Sequence, residues 1–130
     1  MSKILLIEPS QLLASQYKAV LQRSGHSVTW CASGQEAIER ADSLQPDLLV
    51  LELLLPGHSG VEFLYEFRSY ADWLGIPAVV LTALPRSELN LDETALKSLG
   101  VSTYLYKPET PLAKLLRCAN RTLAVAPKKP

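Results

Sequence analysis

Four polar residues stand at the carboxyl ends of four apolar segments and could act together chemically. They comprise two carboxylates, a hydroxyl and an amine, namely Glu8, Glu52, Thr82 and Lys107. If the four segments are parallel strands of one sheet, their carboxyl ends share one edge, which is where open α/β sheets bind their ligands. Two acids, a hydroxyl and a lysine at such an edge favour a functional site. The alternative is that each residue merely ends its strand and faces water.

Residues 46–60 (PDLLVLELLLPGHSG) give the strongest structural signal in the chain. The unbroken apolar run at 48–53 predicts a strand buried on both faces, as in a parallel sheet covered by helices. Glu52 is the exception in this run, and Pro56, Gly57 and Gly60 predict a turning loop directly after it. The rest of the chain is therefore expected to be organised around this strand.

Apolar periodicity and capping signals predict the other elements. Strands are expected at residues 3–8, 27–31, 48–53, 77–82 and 101–106. Helices with an apolar stripe lie between and after them, and N-cap residues stand at Ser10, Ser33, Ser59 and Thr110. Ser33 and Ser59 are each followed by Glu three residues later, the pattern of a capping box. With right-handed crossovers, this order predicts an α/β fold: a doubly wound five-stranded parallel sheet with five helices, the flavodoxin-like arrangement.

Length and composition predict one globular domain. The chain has 130 residues, 48% of them hydrophobic and 20% charged, and we assign residues 1–123 to the domain and 124–130 to a flexible tail. The 13 basic and 13 acidic residues cancel, so no strong field attracts nucleic acid or a membrane. The sequence has no signal-peptide or membrane-spanning run, and Cys31 and Cys118 lie in no metal or disulfide motif. A cytoplasmic protein with two reduced, buried thiols is expected.

Five motifs together resemble the receiver domain of response regulators. They are KILLIE, SGHSV, PDLLVLELLLPGHSGVEFL, IPAVVLTA and GVSTYLYKP, and the resemblance covers residues 3–123. In that family an aspartate at the end of the third strand accepts a phosphoryl group, and acidic residues after the first strand hold Mg²⁺. A threonine or serine and a lysine bind the phosphoryl oxygens. An aromatic residue in the fifth strand moves with the hydroxyl as a switch.

The resemblance assigns roles to four residues of this chain. Thr82 and Lys107 match the hydroxyl and the lysine that bind the phosphoryl oxygens. Tyr104 matches the switch aromatic, and Glu8 matches the first acidic position.

Two positions depart from the family pattern, and together they predict that phosphoryl transfer is lost. Glu52 stands at the acceptor position, and its extra methylene moves the carboxylate by about 1.5 Å, whereas a displacement of about 1 Å can cost ~10²-fold in rate. Pro9 stands at the second acidic position and offers no ligand to Mg²⁺, an ion that is demanding about geometry. The site at Glu8, Pro9 and Glu52 is therefore expected to be degenerate, with no metal or other cofactor. Glu52 is expected to pair with Lys107 instead.

The sequence thus favours a pseudo-receiver, a signalling module without enzymatic activity that is fixed in one state or switched by partner binding. The resemblance places a signalling partner on the face made by the fourth helix, fifth strand and fifth helix. Direct binding of nucleic acid or membrane is not expected, and the chain is expected to be a monomer or weak homodimer. One alternative is a working phosphorelay receiver that a histidine kinase phosphorylates. A remote one is a flavin carrier, whose phosphate would face the acid at Glu8.

The segment between Thr82 and the fifth strand is the least regular part of the sequence. Residues 84–99 number 16, a few more than the family pattern has, and the helix within them is expected at 92–99. A shifted or partly unwound fourth helix is therefore expected.

Overall fold

The computed structural model describes residues 2–126, in which five strands alternate with five helices. The strands are β1 Lys3–Ile7, β2 Ser27–Cys31, β3 Leu48–Leu51, β4 Ala78–Thr82 and β5 Val101–Tyr106. The helices are α1 Gln11–Gln22, α2 Gly34–Leu44, α3 Gly60–Arg68, α4 Glu93–Ser98 and α5 Leu112–Val125. Short 3-10 turns lie at Ala71–Trp73, Arg86–Glu88 and Lys107–Glu109.

The five strands form one parallel sheet in the order β2-β1-β3-β4-β5. Alternate residues of β1 lie on opposite faces of the sheet, because side chains alternate along a strand. Ile4 and Leu6 belong to the core cluster that includes residues of α1 and α5, whereas Leu5 and Ile7 belong to the cluster that includes residues of α2, α3 and α4. Every residue of the central strand β3 is buried. The predicted doubly wound sheet with helices on both faces is confirmed, and it places the carboxyl ends of all strands along one edge.

The end of β3 differs from the prediction. The strand ends at Leu51 rather than at Leu53. The carbonyl of Leu53 accepts a hydrogen bond from the N–H of Gly60 at 2.8 Å, so the chain closes a loop onto α3 instead of continuing the ladder. Glu52 therefore lies just past the strand, at the beginning of this loop.

The two predicted capping boxes differ from each other. Ser59 and Glu62 form the complete reciprocal pair at the start of α3. At α2, the hydroxyl of Ser33 accepts from the N–H of Glu36, but the Glu36 carboxylate accepts from Ala32 instead of Ser33. The second half of that prediction is wrong, and the N-cap backbone differs accordingly, with φ −142° at Ser33 against −69° at Ser59.

Both ends of α5 also differ from the prediction. The hydroxyl of Thr110 donates to the carbonyl of Tyr106 at 2.6 Å, so it does not cap the helix. Pro111 takes the N-cap position, without a side-chain hydrogen bond. The helix continues to Val125, so residues 124 and 125, assigned to the tail from sequence, are helical. Residues 127–130 of that tail lie outside the described part of the chain.

The fourth helix lies within its predicted range. Asp92 caps it by accepting a hydrogen bond from the N–H of Ala95 at 2.8 Å. The helix itself is short, at 6 residues. The loop that precedes it contains the 3-10 turn Arg86–Glu88.

Both cysteines are free and buried, as predicted. Burial raises the pKa of the Cys31 thiol to about 11, since the thiolate would lose its hydration. Among residues 2–126, no helix has the length and apolar character needed to cross a membrane.

Gly60 provides a test of the loop that ends at α3. A Cβ at this position would lie 2.6 Å from the Cα of Leu53 and 2.7 Å from the carbonyl oxygen of Glu52. Because both are backbone atoms, Gly60→Ala must displace the loop and should destabilise the protein by about 1–3 kcal/mol in urea denaturation. Gly75→Ala is the matched control, since its Cβ would meet nothing within 4 Å. Equal midpoints for the two variants would contradict this close approach.

Candidate functional site

The four predicted site residues meet at the carboxyl edge of the sheet. Glu8 and Glu52 follow β1 and β3, Thr82 ends β4, and Lys107 follows β5. Glu8 is 2% exposed, Glu52 3% and Thr82 0%, and the Lys107 side chain is 14% exposed. Charges this deeply covered are stable only when other charges and hydrogen bonds replace water. The four residues are therefore expected to serve as partners for one another.

Lys107 joins the two carboxylates. Its Nζ atom lies 2.6 Å from Oε1 of Glu8 and 2.7 Å from Oε1 of Glu52. The predicted approach of Glu52 and Lys107 is confirmed, whereas the sequence does not predict the equally close pairing with Glu8. Burial favours the neutral amine, but the bonds to Glu52 and Glu8 outweigh it and raise the pKa of Lys107. The lysine therefore stays charged between the two acids.

Glu52 accepts hydrogen bonds on both carboxylate oxygens. Oε2 accepts from the hydroxyl of Thr82 and from the N–H of Leu54, the latter at 3.0 Å. Oε1 accepts from the N–H of Ala83 at 3.1 Å and contacts Lys107. Burial acts to raise the pKa of Glu52, but these four donors, with the Leu54 N–H foremost, lower it. The carboxylate is therefore ionised and held in one orientation.

Glu8 is held by its side chain and by its backbone. Its Oε2 atom accepts from the N–H of Ser10 at 2.9 Å. Its carbonyl oxygen accepts from the indole Nε1–H of Trp30 at 2.7 Å. Trp30 was not identified from the sequence. A signal was available, because a tryptophan within a strand has an indole N–H that needs an acceptor once the side chain is covered. Pro9, between Glu8 and Ser10, has no side-chain oxygen.

The carboxylate oxygens at this edge are already bound by groups of the chain itself. The two oxygens of Glu8 are bound by Lys107 and by the N–H of Ser10, and both oxygens of Glu52 are likewise bound. Pro9 has no side-chain oxygen to offer a metal, and Mg²⁺ requires nearly octahedral oxygen coordination. Across residues 2–126, no group of three or more His, Cys, Asp and Glu side chains is placed to hold a metal ion.

Tyr104 connects to the site through one loop residue. Its hydroxyl donates to the carbonyl of Leu84 at 2.6 Å, and the N–H of Leu84 donates to the hydroxyl oxygen of Thr82 at 3.1 Å. Burial raises the pKa of Tyr104, so its hydroxyl remains protonated and able to donate. The predicted switch pair, Thr82 and Tyr104, is thus linked by hydrogen bonds through Leu84.

A comparison of the sequence with known protein families points to the same kind of site as the two acids, the hydroxyl and the lysine at the carboxyl edge. The pattern of the response regulator receiver domain matches residues 4–118. The chain therefore belongs to the response regulator receiver domain family, a class of signal-transduction domains.

Individual relatives support this assignment. The alkaline phosphatase synthesis transcriptional regulatory protein PhoP of Bacillus subtilis (strain 168) is 31% identical over 109 residues, covering 84% of this chain and 43% of PhoP. Protein PilH of Pseudomonas aeruginosa is 27% identical over 127 residues, covering 95% of this chain and 99% of PilH. The chain thus spans less than half the length of the transcriptional regulators that it matches, such as PhoP and KdpE of Escherichia coli (strain K12).

A solved structure agrees with the fold. Chemotaxis protein CheY4 of Vibrio cholerae superposes with a TM-score of 0.81 at 26% identity, covering 93% of this chain and 98% of CheY4. The predicted receiver architecture is confirmed.

Lys107→Ala tests the shared ion pair. Removing the lysine leaves two buried carboxylates facing each other, which should cost about 3 kcal/mol of stability near pH 7. In the variant, Glu52 loses the Lys107 bond that lowers its pKa while burial still acts to raise it, so protonation should relieve much of this deficit near pH 5. Chemical denaturation at the two pH values would measure it.

The exposed Lys114 on α5 supplies the control, since Lys114→Ala should change stability by less than about 0.5 kcal/mol at either pH. A Lys107→Ala midpoint equal to that of the wild type, or a deficit independent of pH, would mean that water rather than the two acids solvates the lysine.

Proposed function

We propose that this domain is a pseudo-receiver, a signalling module that does not accept a phosphoryl group and in which Glu52 maintains one fixed state. The observation that carries the proposal is the full set of donors on Glu52. The hydroxyl of Thr82 and the amine of Lys107 match the groups that bind phosphoryl oxygens in receivers, and here both bind the carboxylate of Glu52. The carboxylate of Glu52 thus occupies the groups that would otherwise bind a phosphoryl group.

The state of Glu52 argues against its acting as a nucleophile. An attacking carboxylate must present a lone pair in line with the phosphoryl donor while cations neutralise the phosphoryl oxygens. Both Glu52 oxygens are bound by Thr82, Lys107 and loop N–H groups. Attack would require breaking these contacts in a site with almost no access to water.

The pairing of Glu8 with Lys107 supports the same conclusion. In a receiver that binds Mg²⁺, acidic residues after the first strand are occupied by the metal. Here Pro9 removes one such ligand, and Glu8 binds the lysine at 2.6 Å instead. The positive charge at this edge is therefore supplied by the chain itself.

A fixed state also follows for the switch residues. Thr82 donates its hydroxyl proton to Glu52, and its oxygen accepts from Leu84, whose carbonyl binds the hydroxyl of Tyr104. These bonds hold Tyr104 against the loop after β4. The carboxylate supplies one negative charge, against about −1.5 to −2 for a phosphoryl group, so a partner would recognise the arrangement of the switch residues rather than their charge.

The output proposed for this state is the docking of a signalling protein on α4, β5 and α5. Tyr104 lies in β5, and its contact with Leu84 joins that strand to the loop before α4. We propose a cytoplasmic monomer or weak homodimer that makes no direct contact with nucleic acid or membrane, in accord with the balance of 13 basic and 13 acidic residues.

Phosphorylation by a small-molecule donor tests this function. With acetyl phosphate and Mg²⁺, mass spectrometry should find no phosphate on the wild type, on Glu52→Asp or on Pro9→Asp. The double variant Pro9→Asp with Glu52→Asp should be labelled, because the nucleophile and the metal ligand act as one unit and their effects are not additive. Efficient labelling of the wild type would instead identify a working phosphorelay receiver. Labelling of Glu52→Asp alone would show that Pro9 removes nothing essential.

Metal binding can be tested by fluorescence, because the indole of Trp30 bonds to the carbonyl of Glu8. In a Trp73→Phe background, which leaves Trp30 as the sole tryptophan, titration with Mg²⁺ or with Mg²⁺ and beryllofluoride should leave the emission unchanged at about millimolar metal. The double variant Pro9→Asp with Glu52→Asp, in the same background, is the positive control. A saturable change in the Trp73→Phe protein without those substitutions would contradict loss of the metal site.

A further inference from the structure

The loop between β4 and α4 is ordered by one arginine. One guanidinium nitrogen of Arg86 donates to the carbonyl of Leu91 at 2.7 Å, and the other donates to Leu89 at 3.4 Å. Arg86 also forms an ion pair with Glu93, the first residue of α4, at 3.6 Å. A planar guanidinium can bond two carbonyls at once, which a lysine ammonium does less well. Arg86 thus connects the beginning of the loop with the start of the helix.

The same guanidinium contacts Tyr104. Its Cζ atom lies 5.7 Å from the centroid of the tyrosine ring, within the range of a cation–π interaction. The hydroxyl of Tyr104 meanwhile donates to Leu84 in the same loop. Tyr104 is therefore held by two residues of this loop, one at its hydroxyl and one at its ring.

These contacts continue the hydrogen-bonded connection that starts at Glu52. Glu52 binds Thr82, and Thr82 binds Leu84, which binds Tyr104. Arg86 then joins the ring of Tyr104 to the start of α4. Each step from Glu52 to Arg86 joins buried or half-buried residues, whereas the last partner, Glu93, has an exposed side chain.

We propose that Arg86 is a positioning residue that couples Tyr104 to the start of α4, so that the structure of the loop and the helix start depends on Glu52. This proposal extends the proposed function. It rests on that function in one respect, namely that Glu52 holds the site in one state. The role belongs to the guanidinium, because loop order requires bonds to two carbonyls as well as contact with the ring. Arg86 therefore determines part of the surface that a partner of α4 and β5 would meet.

Hydrogen exchange can measure this coupling. The N–H groups of Glu88 and Leu89, which bond to the carbonyls of Pro85 and Arg86, report on the loop. In Arg86→Ala they should exchange about tenfold faster or more, the effect expected from losing hydrogen bonds to a charged group. Arg86→Lys should behave similarly, since it keeps the charge but not the fork. Arg23→Ala, at an exposed arginine beyond α1, is the matched control and should leave this exchange unchanged.

The decisive measurement is a double-mutant cycle between Glu52 and Arg86. Glu52→Gln should change exchange at Glu88 and Leu89 in the wild-type background but not in the Arg86→Ala or Arg86→Lys background, because the connection is already cut. An equal effect in all backgrounds, or none in any, would overturn the proposal. If Arg86→Ala fails to fold, Arg86→Lys carries the same test.

The two proposals fail separately. Phosphate labelling of the wild type would reject the fixed state of Glu52 but would leave the exchange cycle to decide whether Arg86 couples the site to α4. Conversely, an unlabelled wild type whose cycle shows no coupling would reject only the role of Arg86.

Discussion

The structure depends on a single cation, the ammonium of Lys107, which lies between two carboxylates that have almost no contact with water. Without it, Glu8 and Glu52 would repel each other at the point where β1 and β3 end side by side. The parallel sheet makes this meeting unavoidable, because its strand ends share one edge. Lysine and hydrogen-bond donors must therefore be present there for the fold to tolerate the two acids. The conformation of the surrounding loops follows from where those donors stand.

The sequence predicted the convergence of Glu8, Glu52, Thr82 and Lys107 because each stands at or just past the end of a strand, and the carboxyl ends of parallel strands share one edge. It predicted the pairing of Lys107 with Glu52 but not the equally close pairing with Glu8, since that second contact depends on side-chain rotamers and on donors brought in by loops. Trp30 and Arg86 escaped sequence reasoning for the same reason. Both donate to backbone carbonyls, which no residue type identifies. The incomplete capping box of α2 and the later start of α5 likewise reflect competition among nearby backbone groups.

The residues at positions 9 and 52 both affect the contacts that Lys107 makes. Proline at position 9 leaves Glu8 without a neighbouring acid, and Glu8 then binds Lys107 and the N–H of Ser10. The longer arm of Glu52 brings its carboxylate to the same lysine and to Thr82. In the proposed pseudo-receiver, Pro9 removes a ligand for metal, and Glu52 fills the space with an anion that belongs to the chain. In that proposal the ammonium of Lys107, a cation of the chain itself, balances both carboxylates.

The carboxylate at position 52 bears on how long a signalling state lasts. A phosphoryl group arrives and is hydrolysed, so the signal of a working receiver has a lifetime of its own, set by opposing reactions. A side-chain carboxylate is bonded to the chain by carbon and cannot be removed by hydrolysis. If Glu52 acts as proposed, the state persists as long as the polypeptide does. The strength of the signal would then be governed by how much of the protein is synthesised and degraded, which makes its abundance the regulated quantity.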